Sequence, residues 1–262
     1  MPGYNDLVAR RRFFVDQIRE GMAEMRGEDA HHLARVLRAE AGRTYEVSDG
    51  SSVWLAEIID ARPDRVVFRC IEPVESPELP AHITLCASLV KFDRFEWIVE
   101  KATELGVERI IPVEAARSEK GLAQAAAKRR ERWQRIALES SQQSRRARVP
   151  EILPAVRYQE ALRTAADFRY FLDEASTAPI LGAFPAARQA SDCVAVLTGT
   201  EGGWTDEERA GALAAGWTPV SLGSLILRAE TAVTAALAVI GAAWVKRGGG
   251  SASESAPSNR IW

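Results

Sequence analysis

After Pro80 the sequence alternates between short apolar segments and amphipathic segments, and this alternation restricts the fold more than any other feature. The apolar segments have the length and composition of buried strands: 83–90, 107–113, 168–172, 193–197 and 218–222. The segments between them have helical spacing: 94–105, 123–143, 205–215 and 229–246. Strands that are joined by helices pair in parallel, and both faces of a parallel sheet are buried. The sequence therefore predicts an α/β domain with helices on both faces of one parallel sheet.

Residues 1–75 have a different pattern. One helix is predicted over 28–39, with a buried face formed by Leu33, Val36 and Leu37. The other elements are short strands separated by turn residues, as in a compact β-barrel: 12–15, 44–47, 53–59 and 66–70. Prolines and acidic residues then stiffen and solvate the chain before the α/β part. We expect four segments: a barrel domain (1–75), a linker (76–81), the α/β domain (82–247) and a disordered tail rich in Gly and Ser (248–262).

The composition is that of a folded protein, with 47% apolar and 27% charged residues in a chain of 262. The longest apolar run, 229–245, is too short to span a bilayer, and no signal peptide is evident. We therefore expect a cytoplasmic protein without membrane contact. Cys70, Cys86 and Cys193 lie far apart in apolar surroundings, which predicts buried thiols and no metal site.

Two glycine-bearing loops follow predicted strands and lead into predicted helices. Residues 197–204 are Leu-Thr-Gly-Thr-Glu-Gly-Gly-Trp, and residues 221–232 are Ser-Leu-Gly-Ser-Leu-Ile-Leu-Arg-Ala-Glu-Thr-Ala. Ligands bind at the carboxyl ends of parallel strands, and glycine lets the backbone approach a ligand closely. Because ordinary connections also contain glycine, each loop alone is ambiguous, but together they predict one pocket with apolar walls. The glycine order fits neither the dinucleotide fingerprint nor a P-loop.

Three charged side chains interrupt these loops: Glu201, Arg228 and Glu230. A charge that is buried without a partner is costly, so each is a candidate functional residue. The alternative is structural, because a salt bridge could join the loops and Glu230 in a first helical turn suits the helix dipole. The residues alone leave both interpretations open.

The net charge of −2 gives no hint of a nucleic-acid partner, but the basic residues are clustered. Residues 128–148 contain eight basic and two acidic side chains, enough to attract a phosphate backbone, although a solvated helix face is the alternative. Smaller basic groups complete the set of candidate RNA contacts, which are Arg10, Arg11, Arg12, Arg35, Arg38, Lys91, Arg145 and Arg146.

Taken together and in this order, the motifs resemble the RsmE-type 16S rRNA uridine-N3 methyltransferases over about residues 8–245. The resemblance is carried by Lys91 with Lys-Ala-Thr-Glu-Leu-Gly-Val at 101–107, Gln143-Ser144-x-Arg146, Gly-Thr-Glu-Gly-Gly at 199–203, and Leu222-Gly223 with Ile-Leu-Arg-Ala-Glu-Thr-Ala at 226–232. Thr200 stands where the family usually has proline.

The resemblance implies a PUA-like barrel followed by a SPOUT domain whose chain end threads a loop to form a trefoil knot. It implies S-adenosylmethionine as methyl donor and a homodimer that acts on 16S ribosomal RNA or the small ribosomal subunit. The donor-binding residues that it implies are Leu197, Gly199, Glu201, Gly202, Gly203, Leu222, Gly223, Leu225, Ile226, Leu227, Arg228, Thr231 and Ala232.

Methylation at N3 of uracil needs a base, or cations that stabilise the uracil anion, because this nitrogen carries a proton in neutral uridine. Glu201 is our hypothesis for the base or a base-orienting group, Arg228 for the residue that stabilises the anion or fixes a phosphate, and Glu230 is a third catalytic candidate. The apolar face of the final helix, with Val233, Leu237, Ile240 and Trp244, either forms a dimer surface or packs on its own sheet.

Two other functions are weighed against this one. A non-catalytic RNA-binding adaptor of the ribosome-assembly type would have the same barrel, but it would not need two glycine loops. A nucleotide-dependent oxidoreductase would need the glycine fingerprint and the ribose-binding acid, which the sequence lacks.

Overall fold

The computed structural model describes residues 12–245. Its first part is a six-stranded sheet with the strand order β1-β4-β5-β6-β3-β2. The strands are β1 (Arg12–Phe14), β2 (Ile18–Arg19), β3 (Met22–Arg26), β4 (Thr44–Ser48), β5 (Val53–Arg62) and β6 (Arg65–Pro73). Only the β1–β4 pair is parallel among the pairs of this sheet. Apolar side chains of these strands form a core of their own around Phe13, Val47 and Phe68.

The predicted helix 28–39 is wrong in its extent. The chain forms a short helix, α1 (Gly27–His31), and then a wider turn over His32–Val36 in which the Leu37 amide bonds five residues back. This wider winding rotates the helix face, so that Leu33 is buried while Val36 and Leu37 are exposed.

The second part is a seven-stranded parallel sheet, as predicted, with the order β10-β8-β7-β12-β11-β13 and β9 paired with β8. Its strands are β7 (His82–Ser88), β8 (Arg109–Glu114), β9 (Glu151–Ile152), β10 (Val156–Arg157), β11 (Phe168–Leu172), β12 (Cys193–Thr198) and β13 (Thr218–Val220). The three strands β12, β11 and β13 lie side by side in parallel, so their carboxyl ends meet at one edge of the sheet.

Helices connect these strands and cover the sheet. They are α2 (Phe92–Glu104), α3 (Leu122–Gln143), α4 (Tyr158–Ala161), α5 (Asp206–Ala214) and α6 (Ala229–Trp244). The apolar face of α6, from Val233 to Trp244, is buried in the core of its own chain together with α2 and the sheet. The interpretation of this face as a dimer surface is therefore wrong. Its side chains are buried and cannot contact a second copy.

Burial also tests the prediction that was made for the three cysteines. Cys86 is buried and Cys70 is half-buried, whereas Cys193 is exposed, so the prediction of three buried thiols fails at the first residue of β12. Burial raises the pKa of the Cys86 thiol to about 11. Within residues 12–245 no helix is both long and apolar enough to cross a membrane.

A buried ion pair links neighbouring strands of the first sheet and also binds an arginine from the segment after α3. Arg12 donates to Glu46 from Nη2 at 2.9 Å and from Nε at 3.0 Å, and both side chains are almost fully buried. Arg145, which follows α3, pairs with the same carboxylate. Ser48 of β4 also donates to the carbonyl oxygen of Ala147 at 2.7 Å. The segment after α3 is thus fixed against β4.

Candidate functional site

A cavity of about 700 Å³ lies at the carboxyl ends of β11, β12 and β13. Three loops form its walls, and we name each by the strand that it follows: the β11 loop (173–177), the β12 loop (199–203) and the β13 loop (221–227). Ala229 and Ala232 of α6 complete the lining. This is the edge of a parallel sheet where ligands bind, and the cavity has the size of a small-molecule site.

Two glycines of the β12 loop have close neighbours. A Cβ at Gly199 would lie 3.1 Å from the indole of Trp204, and one at Gly203 would lie 2.3 Å from Glu174 Oε1. Gly203 also has a φ of +68°, in the left-handed region. Its amide donates to the carbonyl oxygen of Thr200 at 3.0 Å, which closes a turn at the position where the RsmE-type family usually has proline.

Trp204 fixes the β12 loop to the carboxyl end of β11. Its indole is fully buried, stacks on Phe171 with ring centroids 4.8 Å apart, and donates from Nε1 to the carbonyl oxygen of Leu172 at 2.8 Å. The helix α5 then begins with a capping box, in which Thr205 Oγ1 accepts from the amide of Glu208. The loop is therefore held at its carboxyl end by both an aromatic anchor and a helix cap.

The β13 loop offers main-chain donors to the cavity. Gly223 has a φ of +132°, and Ser221 Oγ donates to its carbonyl oxygen at 3.0 Å. Among the contacts of residues 12–245, the amides from Ser224 to Leu227 donate to no other group. Leu225 and Ile226 are exposed, so this loop presents apolar side chains and unpaired amides together. Such a surface suits a ligand that has both a flat apolar part and hydrogen-bond acceptors.

Arginine side chains surround the acidic groups of the site. Arg94 of α2 pairs with Glu201, and Arg209 of α5 pairs with Asp173 at 3.1 Å and with Glu174 at 2.8 Å. These pairs join the β11 and β12 loops to helices that lie outside the cavity.

The structure brings together most of the predicted donor-binding residues. Ten of the thirteen line the cavity, and they are Gly199, Glu201, Gly202, Gly203, Leu222, Gly223, Leu225, Ile226, Leu227 and Ala232. Leu197 is buried within β12, and Arg228 and Thr231 are exposed outside the lining. Most of the residues that the resemblance implies therefore lie around one cavity. Their contacts with the methyl donor stay a prediction.

The three catalytic candidates occupy different positions. Glu201 lines the cavity and is paired with Arg94. Arg228 is exposed at the N-cap position of α6, next to the lining residues Leu227 and Ala229. Glu230 lies in the first turn of α6, where its Oε2 atom is buried without a hydrogen-bond partner among the described residues.

The sequence analysis missed the β11 loop as part of the site, and it also missed Arg94 and Arg117. A signal was present for the loop, because 168–172 was predicted as a strand of the same sheet and its carboxyl end must reach the same edge. No signal in the sequence points to Arg94 and Arg117, since their roles depend on contacts with residues about 100 positions away.

The candidate RNA contacts divide by burial. Arg35, Arg38 and Lys91 are exposed, and Arg145 is half-buried. Arg12 is paired with Glu46, and Arg146 is buried and donates to the carbonyl oxygen of Thr103 at 2.7 Å. Burial of these two side chains does not fit a contact with an RNA phosphate, so we restrict that prediction to the exposed residues Arg35, Arg38 and Lys91. Arg10 and Arg11 lie outside the described residues.

No group of three metal-binding side chains occurs in the part of the chain from residue 12 to residue 245.

Comparisons with known proteins agree with this architecture. The family model of the RNA methyltransferase domain matches residues 77–241, and the model of the RNA methyltransferase PUA domain matches residues 26–69. A ribosomal RNA small subunit methyltransferase E from Synechocystis is 35% identical over 232 residues, which cover 87% of this chain and 75% of that protein. The protein of the same name from Bacillus subtilis is 32% identical and covers 88% of this chain and 95% of its own length.

Solved structures show the same fold. The ribosomal RNA small subunit methyltransferase E of Neisseria gonorrhoeae, bound to S-adenosyl methionine, superimposes with a TM-score of 0.80 at 29% identity, over 90% of this chain and 98% of that one. A methyltransferase from Legionella pneumophila in complex with the same cofactor gives a TM-score of 0.81 at 28% identity, over 89% of this chain and 98% of that one.

Proposed function

We propose a reaction for this chain from one premise: it belongs to the ribosomal RNA small subunit methyltransferase E family. The reaction is the transfer of a methyl group from S-adenosylmethionine to N3 of a uridine in the 16S ribosomal RNA of the small subunit, in the cytoplasm. The observation that carries the proposal is the cavity at the carboxyl ends of β11, β12 and β13, walled by two glycine-bearing loops. The cofactor-bound relatives support the choice of methyl donor.

The residues of the cavity fit an adenosyl cofactor. A side chain at position 203 would collide with Glu174 and one at position 199 would press on Trp204, so glycine lets the backbone of the β12 loop lie at the cavity surface. The unpaired amides of the β13 loop supply donors for ring nitrogens and hydroxyl groups, and the apolar lining suits a purine. Leu222, Gly223, Leu225, Ile226 and Leu227 would hold this part of the donor.

When bound, S-adenosylmethionine supplies an electrophilic methyl group, and the work of the chain is to position the uridine and remove its N3 proton. Glu201 is the candidate base or base-orienting group, and its pairing with Arg94 fixes the direction of the carboxylate. Arg228 is placed next to the cavity wall, where a guanidinium stabilises a developing uracil anion or binds a phosphate. Glu230 lies between the lining residues Ala229 and Ala232 and is the third catalytic candidate, with its buried Oε2 atom left without a hydrogen-bond partner among the described residues.

RNA binding in this proposal is mainly electrostatic. The exposed candidates Arg35 and Arg38 lie in the first domain, and Lys91 begins α2 at the carboxyl end of β7. Contacts with phosphates release counterions, so affinity falls steeply as salt rises. The target uridine must also leave its stack to reach the cavity.

A homodimer is part of the proposal, as the resemblance implies. Leu225 and Ile226 support it, because two neighbouring large apolar side chains that are 80% and 90% exposed are suited to being covered by a ligand or a second copy. The molar mass from light scattering measures this part of the proposal.

The experiment is methylation of small ribosomal subunits by the purified chain, with the modified nucleoside identified by mass spectrometry. We expect 3-methyluridine at one position, and we expect rRNA from cells that lack the protein to be without that methyl group. Arg228→Ala should lower the rate by about 100-fold or more, as expected for a group that stabilises transition-state charge. The circular dichroism spectrum should remain that of the wild type.

Arg109→Ala is the matched control, because Arg109 is an exposed, ion-paired arginine at the amino end of β8, away from the cavity. Near-normal turnover by Arg228→Ala would remove Arg228 from the mechanism. A methyl group found on another atom or nucleoside would reject the uracil-N3 assignment.

A further inference from the structure

Two arginine side chains hold neighbouring residues of the β12 loop. Arg94, in the first turn of α2, pairs with the carboxylate of Glu201. Arg117, in the loop after β8, donates from Nη1 to the carbonyl oxygen of Gly202 at 2.5 Å. The stem of Arg117 also packs on this glycine, since a Cβ at position 202 would lie 3.3 Å from its Cδ atom. Two separate elements therefore fix two adjacent residues.

The next residue of the loop has a close neighbour on a third side. Glu174 occupies the space that a side chain at Gly203 would need, and Arg209 donates to Glu174 at 2.8 Å. Arginines thus contact Glu201 and Gly202 and position the carboxylate that lies beside Gly203. The contacts of Arg94 and Arg117 are the ones that face the loop directly.

A loop with this composition needs such contacts. Three of the five residues from Gly199 to Gly203 are glycine, which loses more conformational freedom on ordering than any other residue. A loop that a ligand must order costs affinity, whereas a loop that is already ordered does not. The side chains that order this loop in advance therefore contribute to ligand affinity without touching the ligand.

We propose that Arg94 and Arg117 are positioning residues that order the β12 loop for the methyl donor. The proposal rests on the proposed function, since it takes S-adenosylmethionine as the ligand of this cavity. Both guanidinium groups donate hydrogen bonds to the loop, which favours a positioning role over direct contact with RNA phosphates.

The test is calorimetric titration of the full-length, RNA-free chain with S-adenosylmethionine. Arg94→Ala/Arg117→Ala should raise the Kd for the donor about tenfold, the effect of losing roughly one charge-assisted hydrogen bond. Affinity for a small-subunit rRNA fragment should change less than about twofold, because the exposed arginines elsewhere supply the phosphate contacts. Arg94→Lys should recover part of the donor affinity, since lysine keeps the ion pair with Glu201.

Arg109→Ala again serves as the control and should leave the donor Kd unchanged. Thermal unfolding verifies that each variant is folded, and Arg94→Gln and Arg117→Gln measured singly keep the test decisive if the double variant does not fold. An unchanged donor Kd overturns the proposal, and so does a loss of RNA affinity with unchanged donor binding, which would assign both arginines to phosphate. If the wild-type chain itself binds no donor, the proposed function fails.

Discussion

At the scale of single residues, the site depends on the positions that glycine occupies. Gly203 needs a φ of +68°, and the space beside its Cα atom is taken by Glu174. A glycine-rich loop is visible in the sequence, but neither the backbone angle of Gly203 nor the neighbour that crowds it, 29 positions away in another loop, is visible there. The residue type was therefore predictable, and the reason for it was not.

Gly203→Ala should lower the free energy of unfolding by about 1–2 kcal/mol, because alanine is strained in the left-handed region. It should also weaken donor binding, since Glu174 must move away from Arg209 to admit the methyl group. Urea denaturation and titration with S-adenosylmethionine measure the two effects. Gly182→Ala is the control, because a Cβ there meets nothing within 4 Å, and its stability should stay within about 0.5 kcal/mol of wild type. Equal stability of the two variants would contradict the argument.

At the scale of elements, helix starts were more predictable than helix interiors. The Thr-Asp-Glu-Glu sequence at 205–208 predicts a capping box, and the structure has it. Glu208 does more than cap, since its Oε1 atom accepts from the amide of Ala116 at 2.8 Å and so joins α5 to the loop after β8. By contrast, the helix predicted over 28–39 is interrupted at His32, because the periodicity of apolar residues does not reveal a wider turn.

Thr205→Ala should cost about 1 kcal/mol of stability, because the amide of Glu208 loses its acceptor at the helix start. Thr205→Ser retains the hydroxyl oxygen and should remain within about 0.5 kcal/mol of wild type. Urea denaturation followed by circular dichroism measures both variants. A serine variant as unstable as the alanine variant would show that the methyl group of Thr205, rather than the cap, is responsible.

At the scale of the whole molecule, a buried carboxylate joins the first sheet to the segment that follows α3. Arg12 and Glu46 are both almost fully buried. Arg145, in the segment after α3, pairs with the same carboxylate. The sequence predicted both arginines as RNA contacts, because a cluster of basic residues is the same whether it faces a phosphate or a buried carboxylate. Only the fold brings position 46 between positions 12 and 145.

Glu46→Ala should lower the free energy of unfolding by about 3–5 kcal/mol, because Arg12 is left buried without its partner. Arg12→Met/Glu46→Leu should recover much of this loss, since a buried ion pair can be replaced by apolar side chains of similar volume. Urea denaturation of the two variants gives the comparison. A double variant that is no more stable than Glu46→Ala would mean that the apolar pair does not fit the site.

The sequence by itself determined the longer helices and strands of the α/β domain, the parallel sheet and the edge of the sheet that carries the site, because hydrophobic periodicity and glycine placement are local properties of the chain. The resemblance added the methyl donor and most of the cavity wall, while the trefoil knot stays a prediction, since periodicity carries no information on how a chain end is threaded. Tertiary structure alone decided which charges are paired. Arg12 and Arg146 are buried, and Arg94 and Arg117 contact the β12 loop. The apolar face of α6 packs in the core of the same chain. A charge or an apolar face acquires its role from the partner that folding places beside it.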